Sequence, residues 1–266
     1  MEKLMKQRVV ELIEFGKAEN MRLVEADIPS PASGQIVVKN NAIGLNYLDT
    51  YFRSGLYPWP NEEKIKVLGS EGVGFVHSVG KDVKDFKEGD KVSYVTPVGA
   101  YAEYALINAA HAVQIKIKVN DFDVVASTLK GLTTHYLLHL TFNLKPGMTA
   151  LVHAAAGGVG QLMGQWGSEI GATMIGTVGG SEKVTAAKNA GYHHVIDYND
   201  KDFVAEVMQI TNNKKCDVVY DSVAKSVFPG SLDCLKPRGL WALFGQASGP
   251  IIDFNLGLLS AKGSST

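Results

Sequence analysis

Two patterns of hydrophobic spacing follow one another along the chain. Up to about residue 125 the apolar runs are short: RVVELIEF (8–15), QIVVKNNAIGL (35–45), EGVGFVHSVG (71–80) and DKVSYVT (90–96). Clusters of Pro, Gly and Asp separate them, and such bounded alternation predicts strands and turns. EADIPSPASGQ (25–35) and KDFKEGDK (84–91) read as turns, and YAEYALINAAHAVQI (101–115) as the closing strands. Short strands at this spacing predict a β-rich, barrel-like domain over residues 1–127.

Beyond that point the period changes. LKGLTTHYLLHLTF (129–142) reads as a helix stopped by Lys145-Pro146-Gly147. Strand-like TALVHAA, TMIGTVG, HHVIDYN, CDVVYDSV and GLWALFG then alternate with helical VGQLMGQWGSEIG, SEKVTAAKNAG, KDFVAEVMQIT and SVFPGSLDCL. This alternation predicts an α/β domain over 128–266, a doubly wound parallel sheet with helices on both faces. In the helix after the glycines, Val159, Leu162, Met163, Trp166 and Ile170 recur at steps of three and four. The stripe predicts packing against the sheet.

Composition narrows the function classes. With 26 Lys and Arg against 27 Asp and Glu, the formal charge is −1. Nucleic acid and membrane surfaces are not expected as main partners, and an anion site must be built locally. The two cysteines, Cys216 and Cys234, are isolated. A disulfide framework or four-cysteine zinc lobe is excluded, and a cytoplasmic setting suits them. No signal peptide or spanning segment is read from the sequence.

The strongest chemical signal is HAAAGGVG (153–160), where a strand enters, small residues turn and a helix leaves. Ala154-x-x-Gly157-x-x-Gly160 is a variant of the dinucleotide fingerprint. Its small residues let backbone N–H groups approach a pyrophosphate at the helix start. No Gly-Lys-Ser/Thr closes it as a phosphate loop of the nucleotide-triphosphate kind. The second strand distinguishes the dinucleotides. An NAD site usually carries an acid at that strand's tip, about 20 residues on, for the ribose hydroxyl. Here TMIGTVGGSEK ends in Gly179, Gly180, Ser181, Glu182 and Lys183. A hydroxyl and an ammonium suit a 2′-phosphate, and hence NADPH. Glu182 as the missing acid, and Ser181 as a helix cap, remain open alternatives.

GLNYLDTYFRSGLYP (44–58), LGSEGVGFVHSVG (68–80), LKGLTTHYLL (129–138), HAAAGGVGQLMGQW (153–166), VVYDSV (218–223) and SLDCLKPRGLWALFG (231–245) carry a family resemblance. Together they resemble the zeta-crystallin-like quinone oxidoreductases, a zinc-free branch of the medium-chain dehydrogenase/reductases. The resemblance implies a GroES-like β-rich domain, then a Rossmann domain, with NADPH in the cleft between them. It places Gly157, Gly158 and Val159 at the pyrophosphate and Gly179, Ser181 and Lys183 at the adenosine ribose phosphate, with Tyr198 near the adenine. Asn46, Tyr51 and Thr133 would lie near the nicotinamide, and Ser222 with Phe244-Gly245-Gln246 would line the cofactor where later strands end. Zinc-dependent relatives carry Cys and His where this chain has Asn46 and Ser70. Glu71 alone makes no soft site, and His135 and His139, four apart on a helix, lack a third ligand, so no metal is expected.

The implied reaction is hydride transfer from NADPH to a quinone. Tyr51 is a candidate donor to the developing oxyanion and Asn46 an orienting group, with aromatic packing in a loop the competing role for Tyr51. Lys130 is a further polar candidate. An alkenal or enone reductase of the same superfamily and a non-catalytic, crystallin-like NADPH-binding protein are the alternatives. Family members are homodimers and continue past LGLLSAKGSST. A truncated chain is therefore expected, without the last Rossmann strand and the C-terminal return to the first domain, and with weakened NADPH binding and dimerisation.

Overall fold

The computed structural model describes residues 5–60 and 65–261; the GSST ending, on which the expected truncation bears, lies outside them. The chain divides into two compact units, one up to Leu129 and one from Lys130.

In the first unit β1 (Lys6–Leu12) and β2 (Met21–Asp27) form an antiparallel hairpin. β3 (Gln35–Ile43), β4 (Glu71–Val79), β5 (Lys91–Val95), β6 (Tyr104–Asn108) and β7 (Ala112–Gln114) make an antiparallel sheet in the order β6-β3-β4-β5-β7. Ile36, Val38, Val76, Val92, Tyr94 and Ile107 fill its core. Each such side chain removed from water contributes roughly 1.5–3 kcal/mol. The segment expected as a loop around Tyr51 is a helix, α1 (Tyr47–Ser54). Asp49 accepts the Asn46 backbone N–H at its start, and Gly55 ends it in the left-handed region at φ 77°.

The helix read from 129 to 142 begins earlier, as α2 (Asp121–His135). Asn120 accepts the Phe122 N–H at 2.8 Å, and Asp121 and Asp123 follow in the first turn. That capping signal marks the start better than the apolar pattern does. Residues Tyr136–Thr141 then widen into a π-helical turn, closed by Phe142 N–H to the Leu137 carbonyl.

The second unit holds β8 (Thr149–Val152), α3 (Gly158–Ile170), β9 (Thr173–Val178), α4 (Val184–Asn189), β10 (His194–Asp197), α5 (Phe203–Ile210), β11 (Cys216–Asp221), α6 (Gly230–Asp233), β12 (Leu235–Leu243) and α7 (Gly257–Ala261). The strands are all parallel, in the order β10-β9-β8-β11-β12, so the order reverses beside β8. This is the doubly wound sheet expected from the alternation. Both faces are buried: Val152, Met174, Val218 and Tyr220 on one, Leu151, Ile175, Ile196 and Val219 on the other. Near-continuous apolar runs are what such a sheet requires. SVFPGSLDCL shrinks to the four-residue α6, because Pro229 offers no N–H and the helix forms only after it.

α3 packs on the sheet through Val159, Met163 and Ile170 of the predicted stripe, while Trp166 departs from it. The helix's buried residues are Gly160, Met163, Gly164 and Gly167, while Trp166 is 37% exposed. A Cβ at Gly160 would overlap the Ala154 carbonyl oxygen and come within 2.8 Å of the Ala155 carbonyl carbon; one at Gly164 would reach the Ala190 oxygen at 2.5 Å. Glycines, invisible to a hydrophobicity pattern, set the contact. Trp166 packs instead against His135 and His139, at 5.9 and 5.1 Å between ring centres.

Candidate cofactor site

The fingerprint leaves β8 tied to both neighbouring strands. His153 N–H bonds the Tyr220 carbonyl at 3.0 Å, and Ala155 N–H the Thr177 carbonyl at 2.9 Å. Ala154 turns in the left-handed region (φ 55°), and its carbonyl accepts the Gly157 N–H at 2.9 Å. α3 starts immediately afterwards, with Gly157 as its N-cap. The first N–H groups of this thirteen-residue helix have no intrahelical acceptor. Gly157 and Gly158 are exposed and carry no side chains of their own, which lets an anion approach those groups.

At the tip of β9 the chain passes through Gly179 and Gly180 into a 3₁₀ turn, Ser181–Lys183. The N-cap of that turn is Gly180, so Ser181 is its first residue and not its cap. Lys183 Nζ bonds the Gly179 carbonyl at 3.2 Å and lies 3.6 Å from Glu182 Oε1, in the open. Tyr198 is brought onto the same turn, since a Cβ on Gly179 would stand 2.8 Å from its Cζ. The acid holding the turn is Asp197, which sequence reading passed over. Its Oδ1 accepts the Gly180 N–H at 3.1 Å from the end of β10. An acid one strand away is hard to assign without knowing that the strands are neighbours.

The ends of β11 and β12 meet as well. Phe244 N–H bonds the Asp221 carbonyl at 2.8 Å and Ala247 N–H the Ser222 carbonyl at 3.0 Å. A Cβ on Gly245 would lie 2.9 Å from that same Ser222 oxygen. Ser222 and the Phe244-Gly245-Gln246 turn therefore adjoin. Thr133 lies on α2, three residues beyond Lys130. Of the predicted residues, Gly157, Gly158, Val159, Gly179, Ser181, Lys183, Tyr198, Ser222, Phe244, Gly245 and Gln246 share the carboxyl end of one parallel sheet. Ligands bind there, at the point where strand order reverses.

Beneath this end runs a buried polar chain absent from the sequence reading. Thr177 Oγ1 lies 2.8 Å from His153 Nδ1, and His153 Nε2 lies 3.1 Å from Ser231 Oγ. Ser231 donates to Asp221 Oδ2 at 3.0 Å, which Trp241 Nε1 also approaches at 3.1 Å. Asp221 Oδ1 accepts the Val223 and Ala224 N–H groups at 2.8 and 2.9 Å. Because the Ser231 proton goes to the carboxylate, its oxygen receives His153 Nε2–H, and His153 Nδ1 accepts from Thr177. Burial lowers the His153 pKa to about 4, against the smaller raising effect of Asp221. The imidazole is neutral, and the loop carrying Ser222 is anchored by a saturated carboxylate.

The first unit holds Asn46 and Tyr51 at α1. Asn46 Nδ2 donates to Glu71 Oε1 at 2.8 Å, and Glu71 Oε2 accepts the Leu129 N–H at 2.8 Å. Asp49 receives Ser70 Oγ and Tyr101 OH, each at 2.8 Å, and its burial raises its pKa above the usual carboxylate range. Tyr51 is 8% exposed and packs at 5.6 Å on Tyr47 and 5.2 Å on Tyr57. A cavity of about 580 Å³ in this unit, against Gln7, Val9, Pro97 and Tyr104, contains none of the predicted site residues.

Two families match in succession: the alcohol dehydrogenase GroES-like domain over residues 32–117 and the zinc-binding dehydrogenase domain over 158–266. The donors do not fit the zinc of the second description. At the positions compared above stand an amide and a hydroxyl, both bonded to carboxylates. Among the described residues no group of three or more His, Cys, Asp or Glu could hold a metal ion. A quinone oxidoreductase of Pseudomonas aeruginosa is 44% identical over 96% of this chain and 78% of its own length. A 2-haloacrylate reductase of a Burkholderia species is 42% identical over 88% of this chain and 72% of its own. The crystal structure of Escherichia coli quinone oxidoreductase complexed with NADPH superposes with a TM-score of 0.91, at 41% identity, over 98% of this chain and 80% of that one. With this identity across both units, the chain belongs to the quinone oxidoreductases of the medium-chain dehydrogenase/reductase superfamily.

Proposed function

We propose that the protein is an NADPH-dependent quinone reductase that works without a metal. The observation carrying this reading is that an exposed glycine helix start after β8 and a lysine ammonium just beyond β9 lie at the same end of one parallel sheet. When bound, NADPH supplies the hydride. The chain's part is to hold and orient. Gly157, Gly158 and Val159 offer backbone N–H groups to the pyrophosphate, Ser181 and Lys183 take the 2′-phosphate, and Tyr198 covers the adenine side. Ser222 and Phe244-Gly245-Gln246 line the far end. Thr133 and Asn46 orient the nicotinamide and its acceptor, and Tyr51 donates to the oxygen that gains charge. The working form in this reading is a cytoplasmic homodimer.

Steady-state oxidation of NADPH and NADH, with 1,4-benzoquinone, a naphthoquinone and a 2-alkenal as acceptors, tests this. Quinone turnover with NADPH preferred is expected. The similarity to a 2-haloacrylate reductase favours a second reading, reduction of an activated carbon–carbon double bond, and turnover of the alkenal alone would select it. NADPH binding with no turnover of any acceptor would leave the crystallin-like, non-catalytic role.

A further inference from the structure

We propose that Lys130 is the cationic contact of the cofactor's pyrophosphate. The inference rests on the NADPH reading and deepens it. Lys130 projects from α2 and is partly buried. Its stem crosses the Cα of Gly158: a Cβ there would stand 2.7 Å from Lys130 Cδ and 3.0 Å from Cε. Gly158 is the first residue of α3, so the Lys130 stem lies against the turn that opens this helix. The packing accounts for glycine at 158, which is not needed for backbone conformation because its φ is not positive. The backbone around Lys130 is fixed as well, its carbonyl accepting Thr134 Oγ1 at 2.9 Å.

Charge gives the second line of argument. The chain's formal charge is −1, so no general positive field draws a dinucleotide in. Lys183 lies beyond β9, at the turn assigned to the 2′-phosphate. The pyrophosphate brings two further negative charges to the helix start, where the peptide dipoles offer only partial charge. An ammonium laid over the helix start adds a full charge where those dipoles converge. Lys183 therefore distinguishes NADPH from NADH, and Lys130 serves what the two share.

The test is a titration of NADPH, NADH and 2′-AMP, followed by fluorescence or calorimetry, into the wild type and the Lys130→Met, Lys130→Arg and Lys183→Ala variants. Lys130→Met is expected to weaken NADPH and NADH alike by about ten-fold and to leave 2′-AMP, which has no pyrophosphate, unchanged. Lys130→Arg should retain most of the affinity. Lys183→Ala should weaken NADPH and 2′-AMP while sparing NADH. Unchanged dinucleotide affinity in Lys130→Met overturns the inference, as does a parallel loss of 2′-AMP, which would mark a general collapse of the site. Failure of the wild type to bind either dinucleotide overturns the NADPH reading itself, and the inference with it.

Discussion

Acidification should destabilise the second unit through His153, and the size of the effect follows from its surroundings. Folded, the imidazole is buried with its pKa lowered to about 4. Unfolded, it titrates near 6.5. Between those values the unfolded chain holds a proton that the folded chain refuses. Stability is thus complete above pH 6.5 and falls as pH drops toward 4. At pH 5 the loss amounts to about 2 kcal/mol relative to neutral pH. For a chain of this size that is a fall in Tm of roughly 4–8 °C. Asp49, whose pKa is raised by burial in the first unit, acts in the opposite direction, because its folded form takes up a proton more readily. The two effects separate by location. Trp166 and Trp241 lie in the second unit and Trp59 in the first. Denaturation of a Trp59→Phe background, followed by tryptophan emission at pH 7 and pH 5, therefore reports the unit that contains His153. The same background with His153→Gln should start less stable at pH 7, having lost part of the Thr177–His153–Ser231 chain. It should then lose about 2 kcal/mol less on going to pH 5. Equal losses in the two proteins would refute the assignment of a neutral, buried imidazole.

Two further substitutions probe the site. Gly160→Ala would press a methyl group into backbone, with the Ala155 carbonyl carbon 2.8 Å away, and should cost about 1–3 kcal/mol in urea denaturation as well as weakening NADPH; wild-type stability would mean that α3 does not sit this close to β8. Tyr51→Phe keeps the ring contacts with Tyr47 and Tyr57, so stability should change by less than about 1 kcal/mol while kcat with a quinone falls roughly 10- to 100-fold. An unchanged kcat would assign Tyr51 to packing alone.

What the sequence revealed depended on how local each signal was. The alternation after residue 125 named the parallel sheet because each strand and helix declares itself within about ten residues. The fingerprint was legible for the same reason, since strand, turn and helix are contiguous. The stripe on α3 holds for Val159, Met163 and Ile170, but the pattern does not show the close contacts made by Gly160, Gly164 and Gly167, whose importance lies in the neighbours they admit. Asp197 and the chain Thr177–His153–Ser231–Asp221 were out of reach altogether. Their members come from different strands and a short helix, and only the sheet order makes them neighbours. The start of α2 was readable in principle, in Asn120 followed by Asp121 and Asp123, and was overlooked because the apolar pattern there is weak.

The same locality separates the roles of Asn46 and Tyr51. The family resemblance implies only that an amide and a hydroxyl occupy positions where zinc-dependent relatives carry Cys and His. The structure adds what each one bonds. Glu71 is fully buried and its carboxylate can only accept, so the group of Asn46 facing it at 2.8 Å is the amide nitrogen. That bond commits one of the two amide hydrogens, and the second remains a donor. Ser70 and Tyr101 are likewise committed to Asp49, whose other oxygen contact holds the backbone N–H at the start of α1. Both carboxylates are satisfied by hydrogen-bond donors, and a cation would have to displace those donors to bind. With its second amide hydrogen Asn46 can still donate to an oxygen of a bound group, so the bond to Glu71 orients the amide without ending its capacity to donate. Both residues predicted to act on the acceptor thus carry a proton to offer, but the Tyr51 hydroxyl can be removed with its ring contacts kept, which makes Tyr51→Phe the cleaner test of the chemical step.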